Sequence, residues 1–488
     1  MSSSALSIRP GPMPASGLAT MMFLSTPRTR KTGTSSTGTM TASSGTPGST
    51  SRSHGPHRLL PFCYHSGALA MNKKILSRVV TPTVLLFLFQ FGQCVFAGGL
   101  YISEVASPAS VGTAGVFNVV NNVEASSAFT NPAGMTGLKE DQRLGGLQLI
   151  VPEVRFDSSI ATAGGSDGGN AGETAVVPGF FWVKELTDQW KFGLSVVAPL
   201  GGGVDYGDNF VGRYQTTDAA LQGVAISPSA GYKLNDRTSL GFGVSAVYQI
   251  FELGLAINQP GPTPDGKVEI EDATDWGFQP FFGLTHQIND RLMLGFVYRG
   301  EFDVDLEGDL KFKNIAIPPL NLLSSKADEA TLGLDFAEAY TLGFKYDYRD
   351  DLTLFFDINY ETWSDFSENR IDIQGGAITD VIDRNWDDTW HIGFGFARKL
   401  SDDRVFTFGV AYDSSAVDDE DRTADLPVDE QFKFALGWAK KKPNRNYSIG
   451  FTFIDLGDGR MDQTVQGVRF KGKFDDNYLI FISGSITL

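Results

Sequence analysis

The sequence predicts an all-β protein, a transmembrane antiparallel β-barrel of about 14 strands. Three observations support this prediction. Apolar and small polar residues alternate with a period of two along many segments, as in residues 238–250. Short turns rich in Asp and Asn, such as 235–237, alternate with long connections. After the first 97 residues, no apolar run reaches the roughly 18 residues that a membrane-spanning helix needs, which excludes a helical membrane protein.

The N-terminal part of the chain is interpreted as processed before folding. Residues 1–70 are rich in Ser, Thr, Gly and Pro, and read as a disordered leader or an over-called start. Residues 71–97 read as a signal peptide, with a basic beginning, a short apolar run and cleavage after Ala97. The mature protein is therefore expected to begin at Gly98 and to be exported.

Charge and cysteine usage exclude several functional classes. Nine of the 40 Lys and Arg residues but none of the 57 Asp and Glu residues precede residue 98, leaving 31 basic against 57 acidic residues, a formal charge of −26. Such a charge argues against a nucleic-acid partner, because phosphates need Lys and Arg. Both cysteines, Cys63 and Cys94, lie in the removed part, so the exported protein has no disulfide and no thiol nucleophile.

The strand series occupies residues 141–488. The expected strands lie near 143–156, 174–186, 190–199, 220–234, 238–257, 267–287, 291–307, 329–349, 352–372, 385–400, 404–415, 429–440, 446–472 and 474–488. A soluble sandwich or propeller is disfavoured because the second face of these strands is small and polar, and because the chain ends on an apolar strand. Aromatic residues also cluster at strand ends, as an interface girdle would require: Tyr346, Tyr348, Tyr360, Trp363, Trp386 and Trp390.

Two segments depart from the regular strand pattern. Residues 98–140 are small and weakly apolar, and they precede the strands, so they could be a periplasmic tail or a plug that fills the lumen. In the third strand, alternation is interrupted by Pro199 and by Gly201, Gly202 and Gly203. Because Pro donates no ladder hydrogen bond and Gly weakens a strand, this break predicts either a lateral gap in the wall or the point where the strand becomes a loop.

Three motifs give the mature chain a family resemblance. They are Asn131-Pro132-Ala133, the stretch 360–366 (YETWSDF), and 412–415 (YDSS) with Arg422 and Pro427 after it. With them, the chain from Gly98 to Leu488 resembles the FadL/TodX family of outer-membrane transporters of long-chain fatty acids and aromatic hydrocarbons. The resemblance implies a 14-stranded barrel whose N-terminal hatch, here residues 98–140, lies in the lumen. It also implies that the break in the third strand opens the wall laterally.

Site residues follow from these readings. Hatch and ligand-binding candidates are Leu100, Ile102, Phe117, Phe129, Asn131, Pro132 and Ala133; lateral-gate candidates are Pro199, Gly201, Gly202 and Gly203. The loop 307–328 contains apolar residues that form either a capture groove or packing between loops: Ile315, Ile317, Leu320, Leu322 and Leu323. The sequence departs from the family pattern at Leu488, Val428 and Gln431, and the last two remove an expected inward Arg near a ligand carboxylate.

The function expected from this resemblance is passive uptake of hydrophobic compounds across the outer membrane of a Gram-negative-type envelope. Ligand would be captured on extracellular loops and released laterally through the kinked third strand. A surface adhesin or structural barrel and a general porin for polar solutes remain as alternatives. Expected partners are hydrophobic small molecules, outer-membrane lipid and lipopolysaccharide, and the barrel-assembly machinery, with the protein a monomer. His286 and His391 stand on separate strands, and no enzyme, metal or cofactor reading follows from them.

Overall fold

The structure is a computed structural model that describes residues 100–318, 320–376 and 378–488. The predicted leader, the signal peptide and the first two hatch residues lie outside the described residues. The short helices are α1 (Pro108–Val111), α2 (Ser127–Thr130) and α3 (Leu320–Leu323), with 3-10 helices at Asn118–Val120, Pro132–Gly137 and Trp363–Ser367. In this part of the chain, no helix has the length and apolar character needed to cross a membrane.

Strands make up most of the described chain. They are β1 (Gln142–Glu153), β2 (Phe156–Ala161), β3 (Ala175–Glu185), β4 (Trp190–Asp205), β5 (Asp218–Lys233), β6 (Thr238–Ile257), β7 (Gly266–Asn289), β8 (Leu292–Arg299), β9 (Phe302–Lys313), β10 (Glu329–Phe336), β11 (Ala339–Arg349), β12 (Leu352–Glu361), β13 (Glu368–Ile373), β14 (Ile378–Asp383), β15 (Thr389–Ser401), β16 (Arg404–Asp413), β17 (Gln431–Lys442), β18 (Arg445–Asp455), β19 (Arg460–Val465), β20 (Val468–Phe474) and β21 (Tyr478–Thr487).

Fourteen of the described strands close into one antiparallel barrel. Their order around the wall is β1, β3, β4, β5, β6, β7, β8, β11, β12, β15, β16, β17, β18 and β21. The ring closes because β21 pairs with β1, from Leu144 opposite Thr487 to Glu153 opposite Tyr478. Closure gives every barrel strand two strand neighbours along at least part of its length, and it confirms the predicted fold class.

The two faces of the strands differ as the alternation predicts. In β6, Phe242 and Val244 point outward and are exposed, whereas Ser245 and Val247 on the opposite face are buried. The same outward exposure of large apolar side chains recurs around the wall, for example at Phe282, Ile392 and Ile482. An exposed apolar band on a closed barrel is the surface that lipid covers.

The two rims of the barrel also differ. The predicted short turns join β3 to β4, β5 to β6, β7 to β8, β11 to β12 and β15 to β16. On the opposite rim, four predicted strands were wrong as single elements: 291–307, 329–349 and 352–372 each divide in two, and 446–472 divides into β18, β19 and β20. The additional pieces rise beyond the wall: β9, β10, β13 and β14 extend the sheet from β7, and β2, β20 and β19 form a separate small sheet.

Aromatic residues form cross-strand pairs near the long-loop rim. The ring centroids of Tyr248 and Trp276 are 5.1 Å apart, and those of Tyr360 and Trp390 are 4.6 Å apart. This pattern is typical of an interface girdle. The assignment of Trp363 and Trp386 to that girdle was wrong, since both are buried and pack against each other beneath the loops.

Candidate functional site

The N-terminal segment, residues 100–138, consists of short helical turns joined by tight corners. Ser107 caps α1 by accepting a hydrogen bond from the Ser110 backbone N–H. Asn131 makes the sharpest corner: its Oδ1 accepts from the Ala133 N–H at 3.1 Å, and its Nδ2 donates to the Val119 carbonyl at 2.6 Å and to that of Leu284 in β7 at 3.3 Å. The Asn-Pro-Ala motif therefore shapes the segment and attaches it to the wall.

Glycines on the inner face of the barrel let this segment approach the wall closely. A side chain on any of them would overlap with atoms of the segment: Gly146, Gly179, Gly193, Gly231, Gly241, Gly283, Gly295, Gly343, Gly393, Gly409, Gly437 and Gly450. These glycines lie on twelve of the fourteen barrel strands. On β12, Phe355 packs against Phe117 with ring centroids 4.5 Å apart, and β21 contacts α1. The segment thus contacts the inner face all the way round.

Four cations from the wall reach polar atoms of the segment. Lys191 donates to the Leu138 carbonyl, Arg299 to the Phe129 carbonyl and Lys345 to Asn122 Oδ1, while Lys433 Nζ lies 3.7 Å from Glu104 Oε1. Phe129 lies near the end of α2, and Leu138 directly follows the 3-10 helix Pro132–Gly137. The last carbonyls of such short helices lack partners within the helix. The wall therefore supplies the donors that the short helices cannot supply themselves.

The break in the third barrel strand coincides with a change in pairing. The β3–β4 ladder ends at Phe180 opposite Val196, although β4 continues to Asp205 along β5 with a bulge between Val197 and Leu200. Beyond Phe180 toward the long-loop rim, β3 pairs with β1 alone among the described strands. The strand end predicted at 199 was therefore wrong, because Pro199 and the three glycines remain within β4.

The N-terminal segment takes the place of the missing partner at the bulge. Tyr101 forms an antiparallel bridge with Leu200, and the Ile102 N–H donates to the Pro199 carbonyl at 2.9 Å. Nothing lies within 4 Å of the positions that a Cβ would occupy on Gly201 and Gly202. Between the bridges from Tyr101 to Leu200 and from Gly172 to Val204, this edge of β4 therefore lacks a strand partner among the described residues, and glycine borders the break.

A cavity of about 500 Å³ borders this break in the ladder. Val177 of β3 and Val197, Gly201 and Gly203 of β4 line it on the wall side. Most other lining groups are apolar, including Phe251, Leu332 and Phe481. An apolar cavity of this kind binds ligands through burial of apolar surface.

The charged groups that line this cavity include one buried ion pair. Arg384 holds Asp425 in a bidentate ion pair, with N–O distances of 2.7 and 3.1 Å. Burial alone would raise the pKa of Asp425, but the Arg384 guanidinium lowers it below its ordinary value. Lys433, the other cation in the lining, is paired with Asp413 at 2.8 Å.

A second cavity, of about 140 Å³, is more polar. His391 contacts Asp413 and lies 3.4 Å from Asp357, and Lys433 continues this chain of charges. Arg299 completes the polar lining, with its guanidinium 4.2 Å from the centre of the Phe129 ring. In the part of the chain that the structure describes, no group of three or more His, Cys, Asp or Glu side chains is arranged to hold a metal ion.

The predicted hatch residues divide into two groups. Leu100 lines the larger cavity, Phe129 the smaller one, and Ile102 both. Phe117, Asn131, Pro132 and Ala133 line neither described cavity and pack against the wall. A direct ligand-binding role is thus supported by position for the first group alone, and it stays a prediction.

The predicted capture loop is also divided. Ile315 and Ile317 are partly buried against a cluster of buried apolar residues, which agrees with packing between loops, whereas Leu322 is 63% exposed. The side chains of Leu320 and Leu323 lie outside the described part of the chain. None of the described loop residues lines either cavity, so a capture role for this loop stays a prediction.

The sequence reasoning missed several residues that the structure brings to the site. Tyr101 lines both cavities, as do Gln431 and Lys433, and Arg299 lines the smaller one. Tyr101 could have been noticed as an aromatic residue between two predicted anchors. The cations stand on the polar face of ordinary alternating strands, so no sequence signal separates them from solvent-facing residues.

Comparisons with known proteins agree with this architecture. A family model described as outer membrane protein transport protein (OMPP1/FadL/TodX) matches residues 89–481. The long-chain fatty acid transport protein of Escherichia coli O6:H1 is 23% identical over 345 residues, which cover 64% of this chain and 77% of that protein.

Two solved structures share the fold. A Pseudomonas aeruginosa FadL homologue superimposes with a TM-score of 0.72 at 20% identity, covering 81% of this chain and 99% of that one. The Pseudomonas putida toluene transporter TodX gives a TM-score of 0.58 at 16% identity, covering 74% and 93%. The family match and the curated relative, together with the closed barrel, confirm the predicted outer-membrane location.

Proposed function

Because the chain belongs to the OMPP1/FadL/TodX family of outer-membrane transport proteins, we propose that it is a channel for the passive uptake of hydrophobic compounds. The two candidate ligand classes are long-chain fatty acids and aromatic hydrocarbons, which relatives are named for transporting. The observation that carries the proposal is the apolar cavity of about 500 Å³ directly behind a break in the β3–β4 ladder.

The proposed route begins at the long loops and ends in the wall. Exposed apolar groups such as Leu322 capture the ligand, which then enters the larger cavity. Burial contributes about 0.8 kcal/mol for each methylene, so affinity grows with the apolar length of the ligand. Release occurs sideways past Gly201–Gly203 into the outer leaflet, where the ligand is again surrounded by hydrocarbon.

The N-terminal segment is proposed to act as the hatch that makes this lateral route necessary. It contacts inner glycines on twelve barrel strands, and its corners are fixed by Asn131 and by wall cations. A lumen filled in this way disfavours a general porin, which needs a water-filled passage. An adhesin would not need an apolar cavity or an opening in the wall.

The proposed partners follow from this surface. Outer-membrane lipid and lipopolysaccharide would surround the exposed apolar band, and the barrel-assembly machinery would insert the chain. The protein would be a monomer, because the ring closes within one chain and needs no strand from a second copy. The channel would act without catalysis and without a cofactor.

Two measurements on the same protein test the proposal. Cells whose outer leaflet is lipopolysaccharide, and which lack a transporter of their own, should take up labelled hexadecanoate or toluene several-fold faster when they express this protein. In a liposome-swelling assay, sugar flux should equal that of protein-free liposomes. Rapid sugar flux would support the porin alternative, and absent uptake of both hydrophobic probes would contradict the channel. Mass spectrometry of lipid-like material extracted from the purified protein would then identify the ligand class.

A further inference from the structure

The two cavities meet at a shared boundary. Five residues line both of them: Tyr101, Ile102, Leu200, Gln431 and Lys433. Tyr101 and Ile102 belong to the N-terminal segment, while the others belong to β4 and β17. Tyr101 has the largest side chain of this set, and it is the one aromatic residue among the five that line both cavities.

The position of Tyr101 is fixed from several directions. Its backbone bridges to Leu200 at the β4 bulge, and its hydroxyl donates to the Ala337 carbonyl at 2.7 Å. Gln279 Nε2 of β7 donates to the same hydroxyl at 3.2 Å. The ring packs against Trp363, with centroids 4.9 Å apart. Contacts with four separate elements leave the ring little freedom to turn away.

The boundary also separates two chemically different linings. The larger cavity is mainly apolar, whereas Asp357, Glu361, His391 and Arg299 face the smaller one. An alkyl chain that entered the smaller cavity would remove water from these charged groups, which costs free energy. A barrier at the boundary therefore keeps apolar ligand atoms in the lining that suits them.

We propose that Tyr101 is a specificity-determining residue whose ring limits the length of ligand that the larger cavity accepts. This inference rests on the proposed function, since it concerns the hydrophobic ligand of the same cavity. In this proposal, the backbone bridge to Leu200 and the packing against Trp363 keep the ring in place without the hydroxyl. If a ligand is longer than the larger cavity, its excess length must extend toward the break between β3 and β4.

Binding of a homologous series of straight-chain alcohols, from hexanol to octadecanol, tests the proposal. The alcohols are uncharged, and their affinities for the purified protein can be measured by displacement of a fluorescent apolar probe. Wild-type affinity should rise about fourfold for each added methylene and then level off where the chain fills the larger cavity. In Tyr101→Ala, the rise should continue to longer alcohols, because the chain extends past the missing ring.

Tyr206 provides a matched control. It is also a buried tyrosine whose hydroxyl donates to a loop carbonyl, that of Ala424 at 2.9 Å, but it lines neither described cavity. The alcohol affinity of Tyr206→Ala should level off at the wild-type chain length. The affinity of Tyr101→Phe should do the same, because this variant keeps the ring. Retained heat-modifiable mobility on gels shows that each variant is folded.

The possible outcomes separate the two claims. If the affinity of Tyr101→Ala levelled off at the same alcohol length as the wild type, the proposed role of Tyr101 would be overturned. The proposed channel function would not be affected. An equal extension in Tyr206→Ala or Tyr101→Phe would also overturn it, because the ring itself would then not be the limit. If the wild-type protein bound no alcohol of any length, the length limit would be overturned, whereas the proposed function would still be decided by the separate uptake of hexadecanoate and toluene.

Discussion

At the residue scale, the inner glycines show how the wall and the N-terminal segment fit together. Gly145 and Gly146 are neighbours in β1 that point to opposite faces. A Cβ on Gly146 would come within 2.0 Å of the Ala106 carbonyl oxygen, whereas nothing lies within 4 Å of one on Gly145. Gly146 therefore has no room for a side chain, whereas Gly145 has.

This contrast gives a prediction with an internal control. Gly146→Ala should destabilise the folded protein by about 1–3 kcal/mol, because the overlap forces the segment or the strand to shift. Gly145→Ala should change stability by no more than about 0.5 kcal/mol. Urea unfolding of the purified barrel measures both. Reactivity of a cysteine placed at Ser107, which is buried, reports whether the segment has moved. Equal stability of the two variants would contradict the close approach.

Residue-level prediction from the sequence succeeded where a simple period applied. The alternation in β6 assigned Phe242 and Val244 to one face and Ser245 to the other, as the structure has them. It could not identify Tyr101, Arg299 or Lys433 as site residues, because their importance depends on which strand or turn lies opposite. That information comes from closure of the ring and is not local.

At the scale of single elements, β4 is the most unusual strand of the barrel. It pairs with β5 along nearly its whole length but with β3 only as far as Val196. The sequence break at Pro199–Gly203 left two readings open, a gap or a strand end, because Pro and Gly are compatible with either. The ladder with β5 decides against a strand end, and the missing β3 partner supports the gap.

Closing this gap should block the proposed lateral release. Replacing Gly201–Gly203 with Val-Thr-Val should lower uptake of the hydrophobic probe toward the level of cells without the protein, because three β-branched side chains would fill the opening. Gly484→Val serves as control, since Gly484 also has open space around its Cβ position but stands on β21, which is paired on both sides. Unchanged uptake in the triple variant would refute exit through the wall.

The strand boundaries show where element-level reasoning fails. The spans 291–307 and 329–349 each read as one strand, yet they break at Gly300 and at Ala337–Glu338. Alternation continues across both breaks because β9 and β10 carry a buried face of their own above the membrane. A periodic pattern reports that one face is buried, but it does not report whether lipid or another loop covers the opposite face.

At the scale of the whole molecule, the barrel and the N-terminal segment contribute different things. The wall is complete without the segment, since every barrel strand has two strand neighbours for at least part of its length. The segment, in contrast, depends on the wall for the donors at its helix ends and for the glycine surface that it rests on. Order in the segment is thus expected to follow closure of the ring.

Deletion of residues 100–138 tests this division. We expect the shortened protein still to form a heat-modifiable barrel, because no strand pairing of the fourteen-stranded ring is lost apart from the Tyr101–Leu200 bridge. Its lumen should then conduct ions and pass small sugars, which a planar-bilayer recording and liposome swelling would detect as a many-fold rise over the intact protein. A shortened protein that folds but stays closed would show that the loops block the lumen and would remove the hatch role. Failure to fold would show that the segment is needed to close the ring.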